Sequence, residues 1–253
     1  MKRILFFCCI CLCFVLATQP AQASMCIPIT VGEHHVYKVK WLGLTVGQFE
    51  VTVLREDTFQ GRQVYVIEMR GGTNRFCSHI YRIRDHFVSY IDKETFRPLK
   101  LEVSRREGGY KKDAVTLYFH DEGKAYFHNY LDKSSKEYDI PKDIYDVIGV
   151  FFRLRAEQVQ LKKEITYDVD FGETIFSASG MAEKKEKIKL PNGKKVMAYF
   201  AEPKAYVGSE EVKDGSVRAY FSSDVYTIPL YITLKAPLFT KITATLETGT
   251  ALL

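Results

Sequence analysis

The feature that most constrains this chain is a two-residue alternation of apolar and polar side chains, renewed segment after segment from Glu33 onward. Tyr37, Val39 and Trp41 alternate with Val36, Lys38 and Lys40; Phe49, Val51 and Val53 alternate with Gln48, Glu50 and Thr52. The same pattern returns in Val64–Met69, Leu99–Val103, Val115–Phe119, Lys124–Tyr130, Ile165–Val169, Lys194–Phe200, Val217–Phe221, Ile228–Leu234 and Ile242–Leu246. A period of two puts successive side chains on opposite faces of a strand, and the enrichment in β-branched and aromatic residues suits a pleated surface. The breaks carry turn chemistry: Gly108-Gly109, Asp121-Glu122-Gly123, Asn192-Gly193 and Asp214-Gly215. Such pairs supply the positive φ angles of tight hairpins. The prediction is a mainly all-β fold, a large curved antiparallel sheet or open half-barrel. A sheet of this size must curl, close or be covered, because its apolar face and edges cannot both stay in water. No linker or solenoid repeat divides it, so residues 24–253 read as a single domain.

One segment departs from the pattern. Asp143 to Gln158 has a helical period, with Ile144, Val147, Ile148, Phe151 and Leu154 on one face and Phe152 extending it. Pro141 precedes a cap position at Asp143. The spacing predicts an amphipathic helix over 143–158, packed on the concave face of the sheet. Arg155 falls inside its apolar arc and is expected to be a buried structural charge paired with a carboxylate.

The first residues read differently. Lys2 and Arg3 precede an apolar run from Ile4 to Ala17, too short to span a bilayer. Ala21-Gln22-Ala23 then offers a small-x-small cleavage signal. Residues 1–23 are expected to be a secretory signal peptide cut between Ala23 and Ser24, leaving no transmembrane segment and placing the mature chain in the periplasm, with association to the outer envelope an option. Cys8, Cys9, Cys11 and Cys13 would leave with it. Cys26 and Cys77 would remain, and in an oxidising compartment they are expected to form a disulfide. In the chain-entropy account, closing a loop of about 50 residues contributes roughly 4 kcal/mol.

Function is less legible. A formal charge of +5 without a basic block disfavours a nucleic-acid binder. Beyond the leader, metalloprotease, nucleophile-elbow, paired-cysteine and P-loop motifs are missing, so no catalytic residue, metal or cofactor is assigned and a non-enzymatic role is expected. His120 and His128 flank the Asp121–Gly123 turn, and facing each other they would hold a metal only with a further ligand; surface imidazoles are the simpler reading. The aromatic content of 13% suits either a solid sheet core or a cavity for an acyl chain. For a cavity, Trp41, Phe151 and Phe152 are the candidate lining. The expected function is binding of an apolar or amphipathic envelope component, a lipid or a glycan precursor. The alternative is a scaffold that pairs an exposed strand edge with an envelope protein.

The stretch Tyr37-x-Val39-x-Trp41-Leu42-Gly43-Leu44-x-Val46-Gly47 resembles the opening of the exported bacterial family called domain of unknown function 3108, DUF3108. Tyr81-x-Ile83-x-Asp85 followed by Ser89-Tyr90-Ile91-Asp92-x-x-Thr95-x-x-Pro98 resembles its second block. Asp146-Val147-Ile148-x-x-Phe151-Phe152-x-Leu154-Arg155 is similar to its helix, Pro191-x-Gly193 with Pro203 to its late hairpin, and Phe221-Ser222-Ser223-Asp224 with Ile228-Pro229 to its closing strands. Phe221 stands where the family usually has tryptophan, and Tyr226-Thr227 replaces a more basic stretch. The resemblance implies an envelope protein of antiparallel β fold and supplies no catalytic residues.

Overall fold

The computed structural model describes residues 29–250 apart from 158, 173, 213–214 and 237–239. The expected leader with its Ala23–Ser24 cleavage site, and Cys26, lie outside the described residues. Among the described residues no helix is long and apolar enough to cross a membrane.

The first eight strands are β1 (His34–Trp41), β2 (Leu44–Phe59), β3 (Arg62–Thr73), β4 (Ile83–Asp92), β5 (Pro98–Glu107), β6 (Tyr110–Phe119), β7 (Lys124–Asn129) and β8 (Ser135–Asp139). Then come β9 (Ile144–Asp146), helix α1 (Gly149–Ala156), β10 (Glu164–Asp170), β11 (Ile175–Lys189), β12 (Lys195–Ala201), β13 (Lys204–Val207), β14 (Glu210–Glu211), β15 (Ser216–Ser222), β16 (Pro229–Ala236) and β17 (Thr240–Gly249). From β1 to β8 each strand pairs antiparallel with the next. On its other side β1 pairs with β17, and the sheet continues through β16, β15 and β12 to β11. The first and last strands of the described chain are thus neighbours at the middle of one large open sheet. The turns at Gly108, Gly123 and Gly193 fall where the sequence places them, all three glycines at positive φ.

β11 belongs to two layers. Its second half, Ala182–Lys189, pairs with β12; its first half, Ile175–Met181, pairs with β10, and Ser177–Ser179 pair on the other side with β13. β9 adds to β10 in parallel. Two buried aspartates tie this β9–β10 layer to the first half of the sheet. Asp146 on β9 accepts a short hydrogen bond from Ser89 Oγ on β4. Asp170 on β10 accepts from Tyr118 Oη on β6 (2.9 Å) and Tyr138 Oη on β8 (2.6 Å). Side-chain hydrogen bonds, rather than a ladder, fold the open sheet over on itself.

One expectation needs correction. The helix is eight residues long, not sixteen, and Asp143 does not cap it. Ile144–Asp146 is drawn into β9 by pairing with Asp168–Asp170, and Asp146 Oδ1 then accepts from the amides of Ile148 (3.0 Å) and Gly149 (2.6 Å) at the turn into α1. An apolar run with helical spacing can be taken by a strand when a distant ladder satisfies its backbone. The expected Cys26–Cys77 disulfide has no support among the described residues: Cys26 lies outside them, and Cys77 is half-buried in a 3₁₀ turn, Cys77–His79. The two histidines of the β6–β7 hairpin do not meet. His120 sits at the turn and bonds to Pro98 O, whereas His128 lies opposite Val115 and bonds to Ser135 Oγ.

Candidate functional site

Helix α1 begins at Gly149, where the floor leaves no room for more: an added Cβ would come 3.2 Å from Asp146 Oδ1 and 3.4 Å from Phe96 O. Its inward face sinks Phe152 among Val53, Ile67, Ile91 and Ile148, all buried. Two cavities flank it. The smaller, about 250 Å³, runs between α1 and β1–β3, lined by residues such as Tyr37, Phe49, Met69 and Phe152. The larger, about 460 Å³, lies between α1 and β10–β16 and is lined by residues such as Leu154, Val169, Phe176, Tyr199 and Phe221. Val147, Phe151 and Ile232 border both, so the two cavities adjoin and share these walls, an apolar trough with α1 set into it. Its combined size suits a small-molecule site.

The polar groups sit at the floor. Arg155 donates to both oxygens of Glu33, from Nη1 (2.6 Å) and Nη2 (3.1 Å), and His35 Nε2 shares Glu33 Oε1 at 2.7 Å. All three side chains are buried. Burial alone would raise the Glu33 pKa, but hydrogen bonds from His35 and Arg155 outweigh it and hold the carboxyl below its ordinary value. Arg155 also packs its guanidinium over the Phe152 ring, 5.1 Å from the centroid. With its bidentate face on Glu33, Arg155 does not present a free cation for an anionic headgroup. The rest of the lining is almost wholly apolar.

Asp146 and Asp170 stand side by side on paired strands, both fully buried. Burial pushes Asp146 up to about 6, against the pull of its bonds from Ser89, Gly149 and Ile148, and Asp170 adds to the push. Its ordinary value is 3.8, so the folded chain holds this proton more tightly than the unfolded chain. The contribution to stability is full below about 4 and is lost as pH rises through about 6. Asp146→Asn keeps an acceptor for the two amides. It is expected to flatten this fall and to stabilise the fold above pH 6 by up to about 3 kcal/mol. Urea denaturation across pH 4–8 measures it; a slope unchanged by the substitution would exonerate Asp146.

Of the residues singled out from sequence, Phe151 borders both cavities and Phe152 only the smaller. Trp41 borders neither. It is 47% exposed at the end of β1, opposite Ile242 on β17. Its strand position puts it on the inward face, but eight residues of strand carry it past the trough to the rim. The sequence does not single out Glu33, Asp170 and Tyr118. Their only sequence signal is a polar residue beside or within an apolar strand, which many solvated positions share.

Residues 36–247 match the profile of a family described as a protein of unknown function, DUF3108. The chain belongs to that family. A solved structure of the same fold is the β-barrel-like protein of domain of unknown function DUF1849 from Brucella abortus, at 7% identity and a TM-score of 0.56, covering 87% of this chain and 98% of that one. A Bacteroides fragilis protein, described as exported and of YmcC-like fold, gives 8% identity and a TM-score of 0.38 over 88% of this chain and 98% of that one. No curated protein matches. The Brucella likeness is one of fold alone. Within this DUF3108 chain, the stretch Asp146–Arg155 supplies the turn-holding aspartate, the trough residues Val147, Phe151 and Phe152, and the buried arginine.

Proposed function

We propose that this DUF3108 protein is a non-enzymatic carrier of an amphipathic cell-envelope component, holding its hydrocarbon portion in the trough beside α1. The observation that carries this reading is the adjacency of two almost wholly apolar cavities that share Val147, Phe151 and Ile232 as lining. An apolar volume of this size offers dispersion contacts to a hydrocarbon chain. Export by the leader-like N-terminus would place the protein where lipids and lipid-linked glycan precursors are exchanged. The strand-edge alternative finds less support, because the terminal strand β8 is short and carries Lys136, Glu137 and Asp139, the charges that discourage edge pairing.

Native mass spectrometry of protein purified from the periplasm, with titration of a dansyl-labelled fatty acid, tests this. One saturable site per chain is expected. Ala178 lines the larger cavity, and Ala178→Phe is expected to fill it and weaken binding about tenfold or more while the fold survives. Ligand-free protein that ignores the probe would refute the proposal.

A further inference from the structure

One end of the sheet differs from the other. The β1–β2 turn presents Leu42 (60% exposed) and Leu44 (73%) beside Trp41. The β3–β4 connection is pinned to the start of β2 by Asn74, whose amide N donates to Val46 O and whose Nδ2 donates to Thr45 O. It lifts Phe76 (76%) and Ile80 (78%) into solvent at the same level. Large apolar side chains on connection tips do nothing for the core, and their clustering at one rim asks for a partner.

The register makes this a continuous surface. Leu44 lies opposite Trp41, Trp41 opposite Ile242, and Ile242 opposite Leu234, so four adjacent strands carry one cross-strand row about 15 Å wide. Leu234 is two residues beyond Ile232 on the same face, so the row is the outward continuation of the trough lining.

Charge identifies the partner. Lys40, Arg75, Arg82, Arg84, Lys235 and Lys241 surround this rim, all exposed, and none forms an ion pair among the described residues. The nearby carboxylates Asp85 and Glu107 are both engaged by Arg105. The turns at the opposite ends of the strands mix both signs, with Glu94, Asp121, Glu122 and Asp224 beside Lys93, Arg97, Lys194 and Lys195. Exposed aliphatic and aromatic tips ringed by unpaired cations match the interface of an anionic bilayer, where apolar side chains enter the headgroup region and Lys and Arg meet lipid phosphates. A protein partner of ordinary composition would not call for so one-sided a cationic ring.

We propose that this rim, formed by the β1–β2 and β3–β4 connections with the facing ends of β16 and β17, docks on an anionic lipid bilayer. The docking does not require the trough to hold a ligand, although it would set the trough lining against the membrane.

Trp41 is the single tryptophan of the chain, so its emission reports the rim directly. Purified, leader-processed protein is mixed with vesicles of phosphatidylglycerol or of phosphatidylcholine, and sedimentation and tryptophan emission are read together. Sedimentation with the anionic vesicles and a blue shift of Trp41 are expected, with neutral vesicles binding at least about tenfold more weakly. Leu44→Asp with Ile80→Asp, and separately Arg75→Glu with Arg82→Glu, should each weaken binding about tenfold or more while leaving the melting temperature unchanged. Vesicle binding that persists in Ala178→Phe supports docking independent of the trough; loss in that variant alone would mean lipid extraction and overturn the proposal. It is also overturned by equal binding to both vesicles, by an unshifted Trp41, or by a dimer that Leu44→Asp breaks.

Discussion

Arg155→Ala is expected to lower the stability of the fold by about 3–5 kcal/mol, the cost of leaving one buried charge without its partner. Glu33 is joined to α1 across 122 residues of sequence, and its carboxylate meets both Arg155 and His35 out of contact with solvent. Without the guanidinium, Glu33 must take up a proton or draw water into the floor of the smaller cavity. In a domain of this size each kcal/mol moves the melting temperature by roughly 2–4 °C, so calorimetry reads the effect easily. The double substitution Arg155→Met with Glu33→Leu separates pairing from burial: it is expected to recover most of the loss, because an apolar pair of similar volume needs no charge compensation. Because Glu33 is held below its ordinary value of 4.5, the pair's contribution is present at neutral pH and is lost as pH falls through the folded value. A melting temperature indifferent to Arg155→Ala would remove the pair from the fold's support.

Asp170→Ala is expected to cost about 2–5 kcal/mol, from buried donors left without an acceptor. Asp170 Oδ2 takes the hydroxyls of Tyr118 and Tyr138, and its Oδ1 takes the amide of Gly172 at 2.9 Å. Tyr118 is fully buried, and burial together with the nearby Asp170 pushes its phenol well above the ordinary value, so it stays a neutral donor. The consequence reaches beyond stability. These bonds hold β10 against β6 and β8, and β10 forms one wall of the larger cavity. Tyr118→Phe, which removes one donor and leaves the acceptor, should lose only about 1–2 kcal/mol. Guanidinium denaturation of both variants measures the difference; equal losses would show that the aspartate does not act as the shared acceptor.

Much of the architecture was legible in the residues. The alternation of Tyr37, Val39 and Trp41 with their polar neighbours, and the Gly123 and Gly193 turns, fix strands and hairpins through interactions a few residues apart. The helix was visible only in part. Ile144 and Val147 have helical spacing, but Ile144 lies in a strand because Asp168 lies beside it, a neighbour that no local period reveals. Trp41 and Phe151 look alike as apolar aromatics. One lies at the rim and the other between two cavities, a difference set by distance along the strand and by where α1 docks.

The amino-acid order alone determined most of the pleated segments, though not β9, along with the facing of their apolar side chains and the turns at Gly123 and Gly193. Those properties follow from backbone sterics and side-chain alternation within a short window of chain. The tertiary structure alone decided that β1 lies between β2 and β17, that Glu33 meets Arg155, and that Asp146 and Asp170 fasten one layer over another to leave a trough between them. Each of these joins residues far apart in the chain. Many such pairings compete, and the one adopted gives most buried polar groups a partner while the apolar faces meet.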